Sequence, residues 1–393
     1  MKIIRYLLVF LISCTIGLLI GGGAAVLFTD LTWGQLLDKF AQIDFVNLLI
    51  LIAEAILSTI VAVVLSIVVH EGGHLIFSLL TGYRFVSFRV FNLTLIKTNG
   101  RYRLKRFALG GTGGQCLMRP PLRAVTYIDT RWYNAGGVLM NLLTACIAFV
   151  LYYYTPTDGS RFDETLGLFC LIMFIINIII VLTNGIPLRM GGIGNDGYNF
   201  LHLERRPADK QLLYRLLEAN ALVQSGTQPK DLPTKWFPQP STVAPTDWSD
   251  GLQANWQMIA VAHFESQHDW DVAYQLLSDA MAHRQQLLGL FEKELTTEMV
   301  FVCLATGRID EARTYWTGDL ITYIRQYAKT QSSKQRILSA STLLLEDDPA
   351  GARQLLANLR ERKDDYLLQG EAAMDLELME WLLMQSNEVS MSD

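Results

Sequence analysis

Apolar residues run in long unbroken stretches over the first half of the chain, then give way near residue 204 to short alternations of apolar and charged positions. Stretches 3–28, 46–80, 134–154 and 166–183 are each long enough, as helices, to cross a bilayer core of about 30 Å. Leu11-Ile12-Ser13-Cys14 has the form of a lipoprotein cleavage box, but the apolar run continues past Cys14, which favours a membrane helix. The second stretch exceeds one perpendicular crossing and predicts an outer extension or kink ahead of the spanning part, with Glu54 at the interface. Residues 84–109 alternate instead, around Asn99-Gly100, and predict a β-hairpin with strands 85–97 and 101–107.

Beyond a proline-rich linker around 232–245 the pattern is helical throughout. Ala273, Ala312 and Ala352 each open a predicted helix, at intervals of 39 and 40 residues. This reads equally as a degenerate tetratricopeptide array or as a generic helical bundle. The expected fold is therefore mainly α. A polytopic membrane helix bundle of about four crossings with a β-hairpin insertion occupies 1–203, and a cytosolic helical, repeat-like domain occupies 204–393.

Charge orients the bundle. Between Gly82 and Trp132 there are ten Lys or Arg and a single acid, Asp129, whereas the short loops 29–44 and 155–165 are acidic on balance. Positive residues collect on the cytosolic side, so both termini are expected there, in a multi-pass protein of the cell membrane. Five scattered cysteines without a Cys-x-x-Cys argue against a disulfide framework or thiolate metal site. The net charge of −5, with no basic tail, gives no reason to expect nucleic acid as a partner.

The chemistry sits in His70-Glu71-Gly72-Gly73-His74, at the cytosolic-facing end of an apolar helix. Two histidines four apart share one helix face and can grip a zinc ion, with Glu71 beside them to take a proton from water. Ionisable residues are costly within a bilayer and usually functional there, which weighs against coincidence. A third protein ligand is required. The fourth apolar stretch ends in a break rich in glycine and proline, Thr183 to Gly197, that contains Asp196. Irregular backbone at membrane depth is tolerated only where protein or a water-filled cavity covers it, which makes Asp196 a candidate. Asn195-Asp196-Gly197 is also ordinary turn chemistry, so the residues by themselves leave that choice open. Asn141 and Asn184 are candidate donors to a reaction oxyanion, or else interhelical hydrogen-bonding residues like Asn134 and Asn177.

These motifs together resemble the site-2 protease family, peptidase family M50, over roughly 46–200. His70-Glu71-x-x-His74 lies on a membrane helix, the segment Asn134 to Asn141 falls in the place of the family's helix bearing Gly-x-x-Asn, and Asn184-x-x-Pro187 leads to Asp196-Gly197. The resemblance implies an intramembrane metalloendopeptidase with one Zn2+ per chain, held by His70, His74 and Asp196, and with Glu71 as the base. It also implies a membrane-associated β-hairpin beside the site. Val138 stands in place of the usual proline, Asn195 in place of a common leucine, and the stretch from Pro187 to Asp196 is longer than usual. No PDZ-like insertion is evident.

An extended substrate would lie along an exposed strand edge of the hairpin, while Arg101, Arg103 and Lys105 alternate onto a face suited to anionic headgroups. The expected partners are a membrane-embedded protein or peptide substrate, the lipid bilayer, and a possible cytosolic partner at the C-terminal domain. A catalytically inactive pseudoprotease scaffold is the alternative. A transporter fits less well, because no internal inverted repeat is visible.

Overall fold

Asp44 starts the first long helix of the computed structural model. Its carboxylate accepts from the amides of Val46 and Asn47, at 3.1 and 3.4 Å. The residues described are 23, 26, 32–41, 44–98, 101–107, 113–156, 159–190, 192–237, 247–287 and 289–392. Nearly all of the expected span 3–28, the Asn99-Gly100 turn and much of the proline-rich linker lie outside them. After a short helix α1 (Trp33–Ala41), α2 (Phe45–Leu80) runs unbroken for 36 residues, about 54 Å at 1.5 Å per residue, with no interruption where a kink was expected.

The sheet that follows differs from the expected single hairpin. The expected long strand divides into β1 (Arg84–Val90) and β2 (Leu93–Thr98) at a tight turn where Phe91 adopts a left-handed φ of 52°. No glycine or proline marks this turn, so the alternation runs straight through it. β3 (Arg101–Arg106) and β4 (Gly114–Arg119) complete an antiparallel sheet of order β3-β2-β1-β4, with β4 at one edge.

Two more apolar helices, α3 (Arg131–Tyr154) and α4 (Arg161–Gly185), pack with α2. All three are long and apolar enough to cross a membrane, and little of each apolar window is buried within the protein, as lipid-facing helices require. Glu54 accepts from Arg161 at 2.9 Å, so the acid expected at the interface also ties α2 to the start of α4.

A small hairpin, β5 (Arg189–Met190) and β6 (Ile193–Gly194), takes up the unusually long stretch after Pro187. It leads into α5 (Asp196–His202). Then α6 (Pro207–Gln224) lies against β4: Arg119 forms a two-pronged ion pair with Glu218, the closest contact 2.6 Å, and Ser87 donates to Gln224 at 3.1 Å. Lys105 donates to the carbonyls of Asp364 and Tyr366, at 2.6 and 2.7 Å. The strand face carrying Lys105 thus meets the helical half. The opposite face exposes Leu93, Leu95, Tyr102 and Leu104.

The rest is helical: α7 (Gly251–Glu265), α8 (Trp270–Ala282), α9 (Gly289–Ala305), α10 (Ile309–Tyr315), α11 (Gly318–Tyr327), α12 (Ser332–Leu344), α13 (Pro349–Arg362) and α14 (Gln369–Ser392). A structural repeat is present. His268, Gly307 and Asp347 have φ of 59°, 72° and 53°, and each precedes a fully buried alanine (Ala273, Ala312, Ala352) by the same five residues. The left-handed residue reverses the chain, and the alanine lets the next helix pack closely against the preceding one.

Candidate metal centre

The site is assembled where α2, α3 and α5 meet. Backbone contact at the α2–α3 crossing brings the elements together: a methyl group on Gly73 would stand 2.2 Å from the carbonyl oxygen of Gly136, and one on Gly136 would stand 2.4 Å from that of Gly73. One residue on, a methyl on Gly137 would lie 2.6 Å from both His70 Cε1 and His74 Nε2. Glycine at 137 therefore lets α3 lie directly against the two imidazoles.

Each imidazole is oriented from behind. His70 Nδ1 lies 2.7 Å from Asn141 Oδ1, and His74 Nδ1 lies 2.7 Å from the carbonyl oxygen of Tyr133. Both partners are acceptors, so in a neutral ring the hydrogen sits on Nδ1 and Nε2 keeps its lone pair. The two Nε2 atoms are 3.2 Å apart, and Asp196 Oδ2 lies 3.1 Å from His70 Nε2 and 3.4 Å from His74 Nε2. Asp196 Oδ2 is buried and accepts no hydrogen bond. The two Nε2 atoms and Asp196 Oδ2 converge on one point, an arrangement that a cation would satisfy. Tetrahedral zinc, bonded to N and O at about 2.0–2.1 Å, separates its ligand atoms by about 3.3 Å, close to all three edges of this triangle. The donor set and its size fit the metal.

Glu71 is buried beside this triangle, and the start of β4 comes close to it: a methyl on Gly114 would be 2.4 Å from Glu71 Oε1. The fully buried Arg89 donates to the carbonyls of Phe91 and Gly114, at 2.8 and 3.1 Å, and holds that strand end in place.

Asp196 reaches the site because Asn195 braces the break before it. The Asn195 side chain donates to the carbonyls of Thr183 and Ile186, at 2.7 Å each. Its oxygen accepts from the amides of Leu188 and Tyr198, at 3.1 and 2.9 Å. A leucine at this position could make none of these bonds. The sequence carried only a generic turn signal here.

Asn141 and Asn184 stand differently from each other. Asn141 orients His70 and gives its amide hydrogens to Ser66 O at 3.1 Å and Asn177 Oδ1 at 2.6 Å. Asn177 in turn donates to Ser66 Oγ at 2.9 Å. This buried chain leaves Asn141 no free donor for an oxyanion. Asn184 donates to Ile180 O in its own helix, at 3.2 Å, and Asn134 does the same to Thr130 O, at 2.7 Å. Ser66 and the Tyr133 carbonyl carried no sequence signal. A serine on an apolar helix is unremarked, and a backbone group is invisible to residue identity.

Apolar helices enclosing a His-His-Asp triangle beside a buried glutamate define a candidate metal centre of the membrane-metallopeptidase type. The model of peptidase family M50 matches residues 58–306, well over half of the 393-residue chain, and the chain belongs to this family. The family is one of membrane metalloproteases, generally zinc-dependent. No curated protein and no solved structure matches the chain.

Proposed function

We propose that this protein is a zinc-dependent intramembrane endopeptidase that hydrolyses peptide bonds in or near the transmembrane segments of membrane-bound substrates. The observation that carries the reading is the His70–His74–Asp196 triangle, sized for zinc, beside buried Glu71 on apolar helices. His70, His74 and Asp196 would hold the ion. Zinc when bound supplies a Lewis acid for the scissile carbonyl and makes water a nucleophile near neutral pH.

The chain's residues supply the rest. Glu71 takes the proton of the attacking water and returns it to the leaving nitrogen. Asn141 and the Tyr133 carbonyl are positioning groups that fix which ring nitrogens are free. Asn141 therefore acts through His70, in place of the oxyanion contact expected from sequence. Asn184, bonded within its own helix, is left with no assigned step. The outer edge of β4 runs from Gly114, next to Glu71, and offers backbone groups to an extended peptide. A helical substrate has no free carbonyl, so it must unwind before it is cut.

The basic loop 82–132 supports a multi-pass arrangement with both termini and the domain 204–393 on the cytosolic side. The repeated helix pairs of that domain support a tetratricopeptide-like reading and a surface for a cytosolic partner.

Comparing peptides in membrane and released fractions of cells with and without the protein tests the proposal. Fragments ending inside transmembrane segments should appear only with the protein present. Identical profiles would favour the inactive scaffold.

Gly137→Ala gives a local test. Its methyl would displace the rings, and zinc affinity is expected to fall about 10–100-fold, the range seen when groups supporting metal ligands are altered. Zinc titration of the purified variant reads this directly; wild-type affinity would refute the placement of Gly137 against the ligands.

A further inference from the structure

A cavity of 650 Å3 lies between the sheet and the helical half. That is within the range of about 300–1,000 Å3 typical of ligand sites. One wall comes from the sheet. Gln115 and Leu117 of β4 line it, and β4 begins at Gly114 against Glu71. Ile193, three residues before Asp196, lines it as well. A chain leaving the metal centre along β4 would therefore pass straight into this space.

The far end is charged. Arg336 and Glu298 line it, as does Glu371. Arg336 contacts Glu298 at 2.5 Å, Asp375 at 2.7 Å and Glu265 at 3.2 Å, while neighbouring Lys334 is matched to Glu294 at 2.6 Å. Carboxyls thus outnumber cations. Glu265 Oε1, Asp375 Oδ2 and Arg336 Nη1 are buried without a hydrogen bond, so the cluster's pairing is incomplete and its carboxyls exceed its cations. A buried acidic excess is costly unless a cation completes it. Apolar residues, among them Leu216, Met258 and Leu290, make up much of the remaining walls.

We propose that this cavity receives the cytosolic flank of the membrane substrate, its apolar walls holding the flank's aliphatic stems and its carboxyl cluster binding a Lys or Arg. The chemistry is complementary, because the cytosolic ends of membrane segments are enriched in those two residues. This inference rests on the endopeptidase reading and adds a selectivity to it: the cavity reads the residues beyond the cut, while the metal centre makes the cut.

The test uses the full chain in phosphatidylcholine vesicles, with two single-span peptide substrates that differ only in carrying a tri-lysine or a tri-glutamine cytosolic flank. Burial, reinforced by Asp375, pushes the Glu371 carboxyl up to about 8. Glutamine matches that largely protonated carboxyl in shape and polarity, so Glu371→Gln should fold. Wild type is expected to favour the lysine flank about tenfold in kcat/KM, and Glu371→Gln to lose most of that preference. Binding is read separately by a photo-crosslinker replacing Asn255, on the cavity wall, in the Glu71→Gln background. The lysine flank should crosslink there and the glutamine flank much less. Equal cleavage of both substrates, or no crosslink from position 255, would overturn the proposal. If wild type cuts neither peptide, the endopeptidase reading fails, and the crosslink alone then decides whether the cavity binds a basic flank.

Discussion

Replacing Glu71 with glutamine is expected to slow cleavage of a membrane substrate about a thousandfold, within the 10²–10⁴ range for a general acid–base group, without loss of zinc. The two effects separate because Glu71 is not a corner of the ligand triangle, which His70, His74 and Asp196 complete among themselves. Glutamine has nearly the shape of glutamate and keeps its place against Gly114, but it cannot accept the proton of the attacking water. Turnover in vesicles and zinc content by atomic spectroscopy measure both halves. Near-wild-type turnover would mean that another group is the base. Loss of zinc along with turnover would mean that Glu71 serves the metal itself.

Asp196→Ala should act the other way round, with metal loss first and activity lost as its consequence. Without the carboxylate only two imidazoles remain, and a catalytic zinc site needs three protein ligands. Zinc affinity is expected to fall more than about 100-fold, beyond the usual effect of altering a supporting group. The fold should survive. The bonds that brace this break belong to Asn195, and Asp196 Oδ2 takes no part in them, so removing it leaves the brace intact. Zinc titration alongside thermal unfolding checks this. Tight zinc binding by a folded Asp196→Ala protein would remove Asp196 from the ligand set.

How much of this was legible in the chain depended on whether a feature was local. His70, Glu71 and His74 share one helix, so their spacing alone brings them together. Long apolar runs announced α2, α3 and α4, because span length is set by the bilayer. The family, too, could be read from motifs. The sheet was only half visible: Phe91 takes a left-handed conformation with no glycine to signal it, so β1 and β2 looked like one strand. β4 lay beyond residues 84–109, where the expected hairpin ended. Asn141 was visible as polar in an apolar helix, but its partners, His70, Ser66 and Asn177, come from two other helices, and only the packed bundle shows that its donors are committed. Lys105 was read as facing lipid headgroups, yet it donates to carbonyls far along the chain. The positions of Ala273, Ala312 and Ala352 were legible because a buried alanine at a fixed distance from a chain reversal is a local pattern.

The central claim is that a zinc ion at His70, His74 and Asp196 makes this chain a protease of membrane segments. The most direct measurement follows cleavage of a single-span substrate in vesicles as zinc is stripped with a chelator and then restored. The account predicts fragments cut in or near the span, loss of cleavage as zinc falls below one per chain, and recovery on adding zinc back. Cleavage that persists without metal, or a folded, zinc-loaded protein that cuts no membrane substrate, would contradict it.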